Sequence, residues 1–472
     1  MLRRVRRIGF RALLLRASGV FFAILALLVF ARSVSHASTP DGVHVSLLVV
    51  AAIAAPFAAY LAFRYPLIFP FGLYVALVPF DNILQLTSGA SYVRLVAALA
   101  GVAMLARMLL LRRFVKPAVG WYAWAAFVAW AGITLMWTPD LAESQRVYGI
   151  VIQNYLMMTV LALYPIREIE YRWLVILMVA SGLGAGIYAF AHHSAMFNGR
   201  VSLNVGNLVI DPNQFATSFV LPIAICLATA LFSKDVRLKI FCAAAVLFMM
   251  VPILMTASRG GIVAILLLFG YFALRSKHRV QILAMVGVCL ALSVFFPAVW
   301  ERFVHDEGQL GSGSGRTYIW AVGLHALKEH WLIGSGVGSF LETYDRNFLA
   351  VFQAKMQGWH RPSHDIIVGT WVEMGIVGLT LVLIAWFTTF RQLRVISPGS
   401  RFYPMRLALE ASMVALFAQS LFIDPIWIKY IWLAQTIPLL LLNLHAANPE
   451  RVADSSVRQR PFAPRPIRQA SG

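Results

Sequence analysis

Charge is scarce in this chain. Only 13% of its 472 residues are Asp, Glu, Lys or Arg, where soluble globular domains carry about 25%. With 60% hydrophobic residues and a mean hydropathy of +0.75, an ordinary water-soluble globule of this length is excluded. Acidic residues are the rarer sign, 20 against 40 Lys and Arg. Cysteine is nearly absent: Cys226, Cys242 and Cys289 all fall in apolar runs, so neither a disulfide framework nor a thiolate metal site is expected. The runs lack the apolar–polar alternation of barrel strands, which leaves helices as the way across a bilayer.

What the chain does have is a repeating series of apolar runs, each long enough at 1.5 Å per residue to cross about 30 Å of hydrocarbon. The runs predict an all-α, polytopic transmembrane bundle of about 12–14 spans. Spans are expected at 17–34, 43–62, 66–80, 92–111, 118–136, 147–164, 172–190, 213–232, 238–256, 260–275, 279–298, 364–390, 404–423 and 427–445. The net charge of +20 sits in clusters at the N-terminus, 111–116, 232–239, 275–279 and 391–394. Those clusters occupy alternate loops, the pattern of a cytoplasmic membrane face. Membrane lipids, and the anionic ones in particular, are the partner of this charge, and no nucleic-acid binding is expected. The first run has the layout of a cleavable signal, ending at Ser35 and Ala37, but is read as a retained helix.

The runs divide the chain into N-terminal transmembrane helices (1–298), an external loop (299–363), C-terminal transmembrane helices (364–446) and a Pro-, Arg- and Ser-rich tail (447–472) read as disordered and cytoplasmic. The loop has its own helical periodicity. Tyr318, Val322 and the Leu324/Leu327 pair recur at helical spacing, as do Phe340, Tyr344, Phe348 and Phe352, with IGSGVGS between the two segments. Two amphipathic helices that lie on the membrane or cap the bundle are predicted.

Three arginines fall on the side opposite the basic clusters: Arg200, Arg259 in TASRGG and Arg316 in GSGSGRTYIW. Any one could contact a headgroup or pair structurally, but three converging guanidiniums would hold a diphosphate, because Arg binds phosphate oxygens bidentately. Arg259 and Arg316 also lie near predicted helix starts, where the helix dipole favours an anion. In RPSHD, Ser363 is expected as an N-cap with His364 in the first turn, where the dipole keeps the imidazole neutral and able to accept a proton. His360 with His364 makes a weak zinc spacing, and the His192–His193 pair is a rival base. Glu373, about 2.5 turns beyond His364, faces away from it on a regular helix and is read as a support. Asp211 and Asn213 read as a helix start with a possible sugar-hydroxyl contact. No Asp-x-Asp occurs, so no metal and no cofactor are expected.

TASRGG, GRTYIWAVGLHALKEHWLIGSGVGSF and RPSHDIIVGTWVEMGIVGL together resemble the O-antigen ligase and polymerase superfamily of bacterial membrane glycosyltransferases. The resemblance covers roughly residues 200–380, and the earlier helices match only in hydropathy. It implies a GT-C-like enzyme of the inner membrane, with its site facing the periplasm. Such an enzyme takes a glycan from undecaprenyl diphosphate and passes it, without metal and with inversion, to a hydroxyl of lipid A–core or of another glycan. Carried onto this sequence, His364 would be the general base and Arg200 and Arg316 would bind the diphosphate, with Arg259 beside them. Asp365 departs from the Asn that many members carry after the histidine. Ligase and polymerase are both compatible with these residues. A transporter would instead require ionisable residues along the middle of the spans, and a non-catalytic assembly partner would require none of this chemistry.

Overall fold

Each of the twelve predicted spans from 66–80 onward contains a helix in the computed structural model. The structure describes residues 55–81, 83–84, 91–192, 196–197, 200–202, 204–205, 208–209, 211–304, 316–352, 361–423 and 428–448. The predicted span 17–34, most of 43–62, nearly all of the tail, His193 and His360 lie outside the described residues.

In chain order the helices are α1 (55–64), α2 (Phe71–Leu77), α3 (Tyr92–Leu111), α4 (Val119–Ile133), α5 (Leu141–Leu163), α6 (Glu168–Ala191), α7 (Pro212–Phe232) and α8 (Val236–Met255). They continue with α9 (Arg259–Arg275), α10 (Arg279–Ser293), α11 (Pro297–Val304), α12 (Arg316–His330), α13 (Phe340–Val351), α14 (Ile366–Gln392), α15 (Tyr403–Gln419) and α16 (Lys429–Ala447). Among the described residues, eight helices are long and apolar enough to cross a membrane. The starts follow local chemistry. Asp140 accepts the Glu143 N–H at 3.1 Å, which begins α5 six residues before the apolar run expected at 147. The span expected at 279–298 divides into α10 and α11, the latter opening on Pro297, a residue favoured at a helix start.

Helices α7, α15 and α16 form the buried centre, with Phe219, Leu227, Leu416 and Leu440 fully enclosed. Around them α15 packs on α7 and α9, and α14 runs along α4. The periphery is apolar outward: Leu95, Leu99, Val102 and Leu110 of α3 and Val280 and Leu283 of α10 are exposed. Such a surface suits hydrocarbon, where apolar side chains gain nothing by turning inward. Charge also enters the interior of the bundle. Arg406 Nε and Glu410 Oε1 of α15 pair at 2.9 Å in the buried interior, and the Tyr271 hydroxyl of α9 donates to Glu410 Oε2 at 2.8 Å. Both carboxylate oxygens have donors, which is what lets the pair remain buried.

The bundle has two chemically distinct ends. At one, the Val115 N–H donates to Leu163 O (2.9 Å), the Gly120 N–H to Gln392 Oε1 (2.9 Å) and the Tyr403 hydroxyl to Arg275 O (3.2 Å). These contacts gather the basic segments 112–116, 275–279 and 391–394 together. The opposite end carries α12, α13 and the starts of α7, α9 and α14.

Helices α12 and α13 form a hairpin whose apolar faces meet each other and α14, through Ile319, Val322, Leu327, Phe340, Tyr344, Phe348 and Val372. The expected faces are thus covered by protein, while Leu324 stays half exposed. Between them the glycine-rich loop plugs a break in α14. Gly375 there has φ +68°, and the carbonyls released from the helix are taken up from outside it. Ser335 N–H donates to Val372 O (2.9 Å), Gly336 N–H to Glu373 O (2.7 Å) and Trp130 Nε1 to Met374 O (2.8 Å). In return the Ile376 N–H reaches Trp331 O at 2.9 Å. A broken helix is tolerated at membrane depth when other protein groups satisfy it in this way.

Candidate functional site

The turn that ends α15, residues 419–423, is where the singled-out residues meet. Arg200 stands in a two-residue strand, Arg200–Val201, paired antiparallel with Met196–Phe197. The Asn-Gly between these strands is a strong hairpin signal in the sequence, and a second pair, Asn204–Val205 with Leu208–Val209, is separated by Gly-Asn. Arg200 Nε donates to Thr256 O at 2.8 Å and Nη2 to Asn213 Oδ1 at 3.1 Å. The same Asn213 oxygen accepts from Ser258 Oγ at 2.7 Å, and the Asn213 carbonyl accepts from Gln419 Nε2 at 3.0 Å. Asn213 thereby ties three elements together. Its own position is set by Asp211, whose carboxylate caps α7 by accepting the Asn213 N–H at 2.7 Å.

Arg259 opens α9 directly after Ser258, whose Oγ caps the helix through the Gly261 N–H at 3.0 Å. A Cβ on Gly260 would lie 2.9 Å from Phe422 Cβ, so the first glycine of Ser-Arg-Gly-Gly lets this helix start sit against the α15 turn. Arg316, first residue of α12, reaches the same turn: its Nη2 donates to Phe422 O at 3.2 Å, and its guanidinium carbon is 5.3 Å from the Phe422 ring centroid. The start of α14 joins them through the Ile366 N–H, which donates to Ser420 O at 2.8 Å, two residues after His364. Carbonyls at a helix C-terminus carry partial negative charge, which is why this end draws guanidinium groups.

His364 differs from expectation in one respect. It is not in the first turn of α14, and Ser363 is not its N-cap. Asp365 is the cap, its Oδ1 accepting the Ile367 and Val368 N–H groups at 2.7 and 2.8 Å. The carboxylate is thus engaged at the helix N-terminus, a task asparagine performs equally well. His364, displaced outside the helix, adopts φ +48°. Ala257, the residue before the α9 cap, has φ +45°. Helices α9 and α14 therefore each start from a positive-φ residue followed by a capping side chain, a backbone form that costs non-glycine residues about 1–3 kcal/mol.

The cap assignment has a direct consequence. Asp365→Asn is expected to leave thermal stability in detergent unchanged, while Asp365→Ala loses about 0.5–2 kcal/mol. An Asn variant as unstable as the Ala variant would show that the charge matters beyond capping.

Asn213, Arg316, the helix start at Arg259 and the segment that follows His364 thus meet on one turn, and Arg200 and Asp211 join it through Asn213. Glu373 is not among them. It lies about 12 Å further along α14 and accepts the Phe340 N–H at 3.3 Å, capping α13 where Ser339 makes no side-chain cap. Arg361 is close enough to Tyr344 to oppose the upward pKa shift that burial gives that phenol, with Asp345 adding to the rise. His192 stacks on Tyr188 at the end of α6, with ring centroids 4.1 Å apart. Gln419, Ser420 and Phe422 were invisible as site residues in the sequence, where they end an apolar run.

Residues 243–383 match the O-antigen ligase family. The matched segment contains the Ser258–Gly261 turn, Arg316, the glycine-rich loop, His364 and Glu373. The chain is also 26% identical over 309 residues to the exopolysaccharide production protein ExoQ of Rhizobium meliloti (strain 1021), covering 57% of this chain and 64% of that protein. The alignment therefore spans just under two thirds of the relative. Both findings agree with the superfamily resemblance read from the motifs. Arg200, Asn213 and Gln419 lie outside the ligase-family segment and meet it only through folding.

Proposed function

We propose that the protein transfers a glycan from undecaprenyl diphosphate to an acceptor hydroxyl at the periplasmic face of the inner membrane. One observation carries this reading: three arginine-bearing elements and the His364 turn meet at the end of α15, opposite the basic end of the bundle. Arg200, Arg259 and Arg316 supply donors to the diphosphate, whose oxygens compete for them with Thr256 O and Phe422 O. His364 takes the proton of the acceptor hydroxyl as its oxygen attacks C1. The C1–O bond to the diphosphate breaks, its electrons remain on the leaving oxygen, and the configuration inverts. The guanidiniums stabilise the charge that develops on that oxygen.

In the ligase reading the acceptor is lipid A–core. The likeness to an exopolysaccharide production protein favours a second reading, in which the acceptor is another lipid-linked glycan and the product is a longer chain. Analysis of lipid-linked glycans in cells with an inactivated protein distinguishes them. Long unattached chains are expected for a ligase and single repeats for a polymerase, and an unchanged profile would refute both.

A further inference from the structure

Gln419 ends α15 with no exposed surface, and its Nε2 donates to the Asn213 carbonyl. That partner is purely an acceptor, so chemistry fixes the orientation of the amide and its oxygen is the atom left over. Among the described residues, Gln419 Oε1 is buried without a hydrogen-bond partner. Buried amide oxygens are rarely left in this condition, because the lost solvation is not recovered. A side chain with no exposed surface is reached only by a group that enters the cluster itself.

The missing partner must be a donor. A diphosphate diester at neutral pH has only acceptor oxygens, so it cannot supply one. The sugar attached to it can, since its ring bears hydroxyls close to the phosphate that the arginines hold. Asn213 links Gln419 to Arg200 within one residue, through its main-chain carbonyl and its side-chain oxygen. On the glycan-transfer reading above, we propose that Gln419 Oε1 accepts a hydrogen bond from a hydroxyl of the sugar next to the diphosphate. The contact selects the glycan-bearing donor over the bare carrier lipid. After transfer the carrier has lost that sugar, so the same contact favours release of the spent lipid.

The test uses the full chain in lipid nanodiscs and two probes: undecaprenyl diphosphate, and the glycan-bearing form extracted from the host's own membranes. The wild-type protein binds the glycan-bearing form several-fold more tightly. Gln419→Met, which keeps the side-chain volume, weakens binding of that form roughly three- to tenfold and leaves the bare carrier within twofold. Equal affinity of the wild-type protein for the two probes overturns the proposal without recourse to a variant. An equal loss for both probes in Gln419→Met also overturns it and makes Gln419 a support for Asn213. If neither probe binds the wild-type protein, the glycan-transfer reading itself fails.

Discussion

Replacing His364 with glycine is expected to lower glycan transfer by roughly 10²–10⁴-fold, the range that a general base contributes. Folding is expected to remain intact. The choice of glycine matters because His364 has φ +48°, a region glycine enters without the steric cost that a side chain bears there. A substitution that removes the imidazole should therefore leave thermal stability unchanged or raise it slightly. Loss of activity in a protein that is no less stable assigns the residue to chemistry. Alanine removes the same ring but keeps the strain, so His364→Ala should be equally inactive and somewhat less stable than His364→Gly. Surface polysaccharide on a gel, together with the amount of protein in the membrane, reads both quantities. Normal glycan attachment and chain length in the glycine variant would remove His364 from the mechanism.

Gly375→Ala is expected to have the largest effect on the fold. Two independent costs act at that position. The backbone there, φ +68° and ψ −176°, lies in a region essentially reserved for glycine and penalises a side chain by about 1–3 kcal/mol. A Cβ would also lie 2.1 Å from Leu332 O, an overlap with main chain that no rotamer can relieve. The loop that plugs the break in α14 must then move away, stripping the Val372 and Glu373 carbonyls of their Ser335 and Gly336 donors. The α12–α13 hairpin loses its seat, and Arg316 at the start of α12 is no longer held against Phe422. Limited proteolysis at residues 333–339 and a melting curve in detergent report this directly: cleavage should become rapid and Tm should fall. Gly399 supplies the control, because a Cβ there meets nothing within 4 Å and the same substitution should be silent. A Gly375→Ala protein as protease-resistant as the Gly399→Ala protein would show that the loop is not held by the break.

Much of this architecture was legible because a bilayer imposes a length and a composition on whatever crosses it. The apolar runs at 92–111 and 213–232 coincide with α3 and, within one residue, α7. Where a boundary was missed, a local competitor explains it. Asp140 extended α5 outward, and Asp365 rather than Ser363 caps α14, because its Oδ1 is the atom that reaches the Ile367 and Val368 N–H groups. The Asn-Gly and Gly-Asn pairs before α7 signalled hairpins that a reading centred on hydropathy passed over.

The sequence by itself determined the all-α class, the order of the helices, the separation of basic loops from the arginine-bearing ends, and Arg200, Arg259, Arg316 and His364 as candidates. Those properties follow from hydrophobicity, spacing and charge, which act within a few turns of chain. Only the tertiary structure decided that Asn213, Arg316 and Ile366, 54 to 206 positions from their partners along the chain, meet the turn after α15, that Gln419 lies among them, and that the glycine loop fills a gap in α14. Such contacts depend on which helix ends come together in space, and neither hydropathy nor local propensity carries that information.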